Sequence, residues 1–109
     1  MTNRKEIDID KITPKKVGRY LMITLEEAQS LLKLAGYEAD KNRLETLIGD
    51  SWLLLAEQGQ RERSYFRFRP FTPTMVSRKG LDWLAYKHGE PTDRFTEAVD
   101  MVFSKAKRA

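Results

Sequence analysis

The 109 residues hold 20 Lys and Arg against 16 Asp and Glu, a formal net charge of +4, with 40% apolar residues and no cysteine. That apolar fraction suits one soluble domain with its own core and excludes a wholly disordered chain. Without cysteine the sequence has no disulfide, thiolate nucleophile or Cys-bound zinc.

The opening MTNRKEIDID carries charge with no apolar core behind it, so it does not read as a signal peptide. Residues 1–22 read as a basic arm broken by Pro14 and Gly18, with RYLMI at 19–23 as a short strand at its end; the main domain runs over 23–109. TLEEAQSLLKLAG then predicts a helix. Thr24 followed three residues later by Glu27 is a capping box, Leu25, Ala28, Leu31, Leu32 and Ala35 recur at helical spacing, and Gly36 supplies the stop. Asp40 is a suitable N-cap for a second helix with Leu44, Leu47 and Ile48 inward and Gly49 at its end.

The run WLLL at 52–55 predicts a buried strand. In the longest apolar run, WLLLA at 52–56, it falls far short of the ~18 residues a membrane span needs. A polar loop leads to SYFRFRP at 64–70, where Phe66 and Phe68 alternate with Arg67 and Arg69 as in a half-buried strand, with Tyr65 in the arginine row. After a turn at FTP, TMVS at 74–77 is a third strand with Met75 or Val76 inward. Ser77 caps a helix through His88 that carries Leu81, Leu84 and Ala85 inward and has Gly89 past its end. Thr92 or Asp93 caps a last amphipathic helix over 92–106. Its stripe of Phe95, Ala98, Val99, Val102 and Phe103 is wide enough to cover the domain or to pair two copies as a homodimer.

This order is α+β. Two helices followed by a β-hairpin and a further helix is the winged-helix plan, in which the second helix of the pair enters the major groove and the hairpin wing touches backbone or minor groove. The residues Asn42, Leu44 and Ile48, then Tyr65 and Phe66, then Val76, Ser77, Lys79, Gly80, Leu81, Trp83 and Leu84 resemble the KilA-C domain of phage antirepressor proteins over about 23–88. The resemblance implies a phage or mobile-element regulator in the cytoplasm of a bacterial host.

Charge is distributed unevenly. Residues 1–23 hold six basic and three acidic side chains, 24–60 three and seven, 61–80 six and one, and 81–109 five and five, which gives +3, −4, +5 and 0. The basic cluster Arg61, Arg63, Arg67, Arg69, Arg78 and Lys79 has only Glu62 as a local acidic partner in the sequence, and arginine forks match phosphate oxygens. Double-stranded DNA is the expected partner. Lys41, Asn42 and Arg43 stand at the start of the second helix, where side chains would meet bases. The rival reading is a module that docks a repressor or host protein through the acidic helix pair.

No catalytic site, metal site or cofactor loop is expected. His88, the single histidine, ends a helix and reads as a cap for its carbonyls; no glycine-rich phosphate loop occurs among the six glycines. Asp8 and Asp10 lie in the basic arm as solvated charge, and Glu26 and Glu27 favour the helix dipole in a first turn. Trp52 and Trp83, in apolar runs, are expected in the core.

Overall fold

The computed structural model describes residues 9–59 and 64–108. Four strands form one antiparallel sheet, β1 (Lys15–Val17), β2 (Tyr20–Thr24), β3 (Phe66–Arg69) and β4 (Thr72–Ser77), in the order β1-β2-β4-β3. Among the described residues four α-helices accompany the sheet in an α+β arrangement: α1 (Leu25–Leu32), α2 (Lys41–Glu57), α3 (Arg78–His88) and α4 (Asp93–Arg108). Among the described residues no helix is long and apolar enough to cross a membrane.

The first hairpin belongs to the residues expected as an arm. Val17 and Tyr20 pair across Gly18 and Arg19, and Gly18 has φ 62°, which the primed two-residue turns require at that position. Ile12 is buried in the core and Lys105 of α4 donates from Nζ to the Ile9 carbonyl at 2.9 Å. The segment from Ile9 onward is therefore tied to the domain.

Across the sheet, Ile23 pairs with Val76 and Val76 with Phe66, and all three are buried as one apolar row. Val76, rather than Met75, is the inward residue of β4. Helices cover this row. The α1 stripe of Leu25, Ala28, Leu31 and Leu32 is buried with Ala35, and the capping box of Thr24 and Glu27 is complete at its start. Gly36, at φ 79°, closes the 3-10 turn that follows.

The second helix departs from expectation. The sequence places its stop at Gly49 and a strand at 52–55, but α2 continues through both to Glu57. Leu44, Ile48, Ser51 and Leu55 are its buried residues, spaced four, three and four apart. That is a 3.6-residue period carried across the glycine. A left-handed C-cap needs positive φ, which Gly18, Gly36 and Gly59 have and Gly49 lacks. Leu53 is 57% exposed, so the WLLL run is the flank of a helix and only Leu55 reaches the core.

The later elements follow the sequence closely. Ser77 caps α3 by accepting from the Gly80 amide, and its hydroxyl also donates to the carbonyls of Ser64 and Tyr65. Thr92 caps α4 by accepting from the Phe95 amide at 3.1 Å, and its hydroxyl donates to the Leu34 carbonyl at 2.8 Å. Phe95, Ala98, Val99, Val102 and Phe103 are all buried within the single chain. The stripe that sequence leaves open between cover and dimer contact thus serves as cover.

Candidate nucleic-acid interface

The helix pair is held by local polar contacts. Gln29 Nε2 donates to the Ala39 carbonyl at 2.6 Å, and Asp40 caps α2 by accepting from the Arg43 amide at 2.8 Å. Lys41 pairs with Glu26 of α1 at 3.3 Å. The Glu26 carboxyl is held below the usual carboxylate range, first by a backbone N–H bond and then by Lys41. Lys41, Asn42 and Arg43 are all exposed, as expected. Of the two cations, Lys41 has this acidic partner and Arg43 has none among the described residues.

Of the basic cluster, Arg67 and Arg69 stand exposed on β3, an edge strand, two residues apart. Neither has an ion-pair partner among the described residues. Phe66 on the same strand is buried and Phe68 half-buried, so the alternation read from the sequence holds. Arg61 and Arg63 lie outside the described residues, as does Asp8.

Tyr65 of the row and Arg78 of the basic cluster behave otherwise. Tyr65 is half-buried, edge-on to Trp83 with ring centroids 6.3 Å apart, and the Lys79 amine lies 5.4 Å above its ring. Arg78, expected free, is held by two carboxylates. Asp82 lies one turn on at 3.9 Å and Asp100 of α4 bonds its guanidinium directly. Asp82 stands at i,i+4 spacing and is legible in the sequence once the count runs past residue 80, whereas Asp100 comes from α4, 22 residues away. Arg78 is a structural tie between helices, not a loose cation.

The hairpin tip is short. Arg69 pairs with Thr72, leaving Pro70 and Phe71 as a two-residue turn, and the register shifts between Arg67 and Phe68. Below it, Phe68 meets Trp52 of α2 edge-on at 5.8 Å and Pro73 is buried. Trp52 is thus half-buried against the hairpin, and Trp83 is half-buried beside the core cluster. Phe71 itself is 93% exposed. Sequence reading passed it over as a turn residue, although a phenyl at a hairpin tip is itself unusual, since turns favour Gly, Asn, Asp and Ser.

An open groove of about 1390 Å3 runs between α2 and the two hairpins. Arg19 and Arg67 line it from the sheet, and Glu45 and Asp50 from α2. The groove is therefore basic on its sheet side and acidic on its helix side. Among the described residues no cluster of His, Asp or Glu is placed to hold a metal ion. His88 is exposed, its ring 5.8 Å from that of Tyr37, and its imidazole is held below the usual range by desolvation, then by Lys87 and Arg43. Comparison with protein families, with characterised proteins and with solved structures finds no match to this chain.

Proposed function

We propose that this chain is a small winged-helix DNA-binding protein, a regulator of phage or mobile-element type, whose β3–β4 hairpin is a wing lying along duplex backbone. The observation that carries the reading is the pair Arg67 and Arg69: exposed, unpaired among the described residues, and on one side of an edge strand. Residues two apart on a strand are roughly 7 Å apart, close to the 6–7 Å between neighbouring phosphates of one strand, so both forks can engage one backbone.

Connectivity supports it. The order β2, α1, α2, β3, β4, with β2 paired to β4 and β4 to β3, is a strand, a helix pair and a hairpin whose last strand returns beside the first. In such a plan α2 is the reading helix, and Asn42 and Arg43 at its exposed start are base-reading types. Glu45 and Asp50 further along α2 repel phosphate, so the hairpin supplies most of the affinity.

The test is an electrophoretic shift series with random duplex across a range of salt. Neutralising about four to five phosphates gives a slope near −4 for log K against log salt. Arg67→Ala with Arg69→Ala should weaken binding to every sequence alike and lower the slope by about two, while circular dichroism shows the fold intact. If wild type binds no duplex at low salt, the reading fails. The acidic flank of the groove beside exposed Leu53 then favours the second reading, a module that docks a basic protein.

A further inference from the structure

Phosphate contact leaves Phe71 unexplained. Its ring is 93% exposed, against 73% for Tyr86, 57% for Leu53 and 55% for Met101, which all lie on helices. The tip that carries it is stiff. Pro70 fixes the preceding φ near −65°, Phe68 is seated against Trp52, and Pro73 is buried. With the backbone held in this way, contact by the ring costs side-chain freedom and little backbone freedom. Arg67 and Arg69 lead straight to it along the same strand, so whatever the arginines hold is brought to the ring.

We infer that Phe71 is an apolar wedge that enters a base step of duplex DNA and bends it. The inference rests on the DNA-binding reading above and adds deformation to it. Side chains such as Phe and Pro inserted at the minor groove partly unstack a step and kink the duplex, and the unstacking is offset by contacts that the bend permits. Here Arg67 and Arg69, without an ion-pair partner among the described residues, sit on the strand that leads to the tip. The wedge also predicts selectivity without base hydrogen bonds: a step that unstacks easily accepts the ring at less cost. Flexible pyrimidine–purine steps and mismatches are such steps.

The experiment uses the full chain and end-labelled duplexes of about 20 base pairs, read by energy transfer for bending and by anisotropy for affinity. One duplex is fully paired and the other carries a single central mismatch. Wild type should shorten the end-to-end distance of both and bind the mismatched duplex about tenfold more tightly, because part of the unstacking is already done. Phe71→Ala should keep the salt slope, lose the shortening, and bind the two duplexes within about twofold of each other. Phe71→Leu, which keeps an apolar wedge, should retain part of both effects. Melting temperatures should match wild type, since the ring buries almost nothing.

If Phe71→Ala bends DNA as wild type does, the wedge is refuted and the phosphate reading survives. If wild type binds no duplex, the DNA reading itself falls and takes the wedge with it. If instead Phe71→Ala loses a protein partner while DNA bending is unchanged, the tip is a protein-docking element and the inference is overturned.

Discussion

Two glycines on helices, Gly80 and Gly49, should respond to the same substitution with opposite signs. Alanine is favoured over glycine in a helix interior by about 0.8–1 kcal/mol, so propensity alone predicts stabilisation at both. At Gly49, in the middle of α2, a methyl group would meet nothing within 4 Å. Gly49→Ala should therefore stabilise by about 0.5–1 kcal/mol. At Gly80, in the first turn of α3, a methyl would overlap the Tyr65 carbonyl oxygen and stand 2.9 Å from a ring carbon of Phe66. The oxygen is backbone and cannot turn aside.

Relief at Gly80 needs the first turn of α3 to lift off the strand, which loosens the Ser77 cap and the Ser77 amide bond to the Tyr65 carbonyl at 2.9 Å. Overpacking costs about 1–3 kcal/mol and a lost cap about 1 kcal/mol, set against the propensity gain. Gly80→Ala should destabilise by about 1–3 kcal/mol net. Urea melts give both values directly, and each kcal/mol corresponds to roughly 4 °C in the thermal midpoint of a chain this size. A Gly80→Ala variant as stable as wild type would refute the close approach of α3 to β3. Destabilisation by Gly49→Ala would refute the unbroken α2.

Two further outcomes test the packing and the electrostatics. Trp83→Ala should destabilise by about 3 kcal/mol, the lower end for tryptophan because the ring is half-buried between Tyr65 and the Lys87 amine; a midpoint within a degree or two of wild type would refute its packing role. Folding holds the His88 imidazole below its usual range, so as pH falls below about 6.5 the unfolded chain takes up this proton first and stability declines. Midpoints measured from pH 7.5 down to 5.5 should show this fall, and His88→Gln should flatten it.

Local signals carried most of the fold. Thr24, Asp40, Ser77 and Thr92 each act as the cap that their residue type suggests, because a cap is satisfied within three or four residues of itself. The misreading at 49–55 came from the same locality. Gly49 is a stop only if its φ turns positive, and that depends on whether burial continues beyond it. Ser51 supplies the missing buried position, but a serine does not show as apolar in a sequence pattern. The alternation that exposes Arg67 and Arg69 was legible for the opposite reason, since a period of two needs only four residues to declare itself. Long-range pairing was not legible. Nothing in the residues around Arg78 points to Asp100, and nothing near Lys15–Val17 says that β1 will close one edge of the sheet.

The Arg78 pairing makes a distinction that charge counting does not. Six basic residues in the segment 61–80 look equivalent in sequence, yet Arg78 spends its guanidinium on Asp82 and Asp100 while Arg67 and Arg69 have no such partner among the described residues. Arg78→Ala should therefore act on stability. It removes an exposed tie between α3 and α4, worth about 1 kcal/mol at most because solvent screens it. Its effect on DNA affinity should stay within about twofold at 0.15 M salt, where charges beyond ~8 Å are screened. Arg67→Ala with Arg69→Ala should show the reverse, with affinity and salt slope falling and the melting temperature held. Measuring both properties for both variants gives a crossed result that net charge alone cannot produce, since each variant removes basic side chains from the same stretch. Equal affinity loss per arginine at the two sites would show that the segment acts as a diffuse cloud of charge, and the placement of the interface on the β3 edge would have to be abandoned.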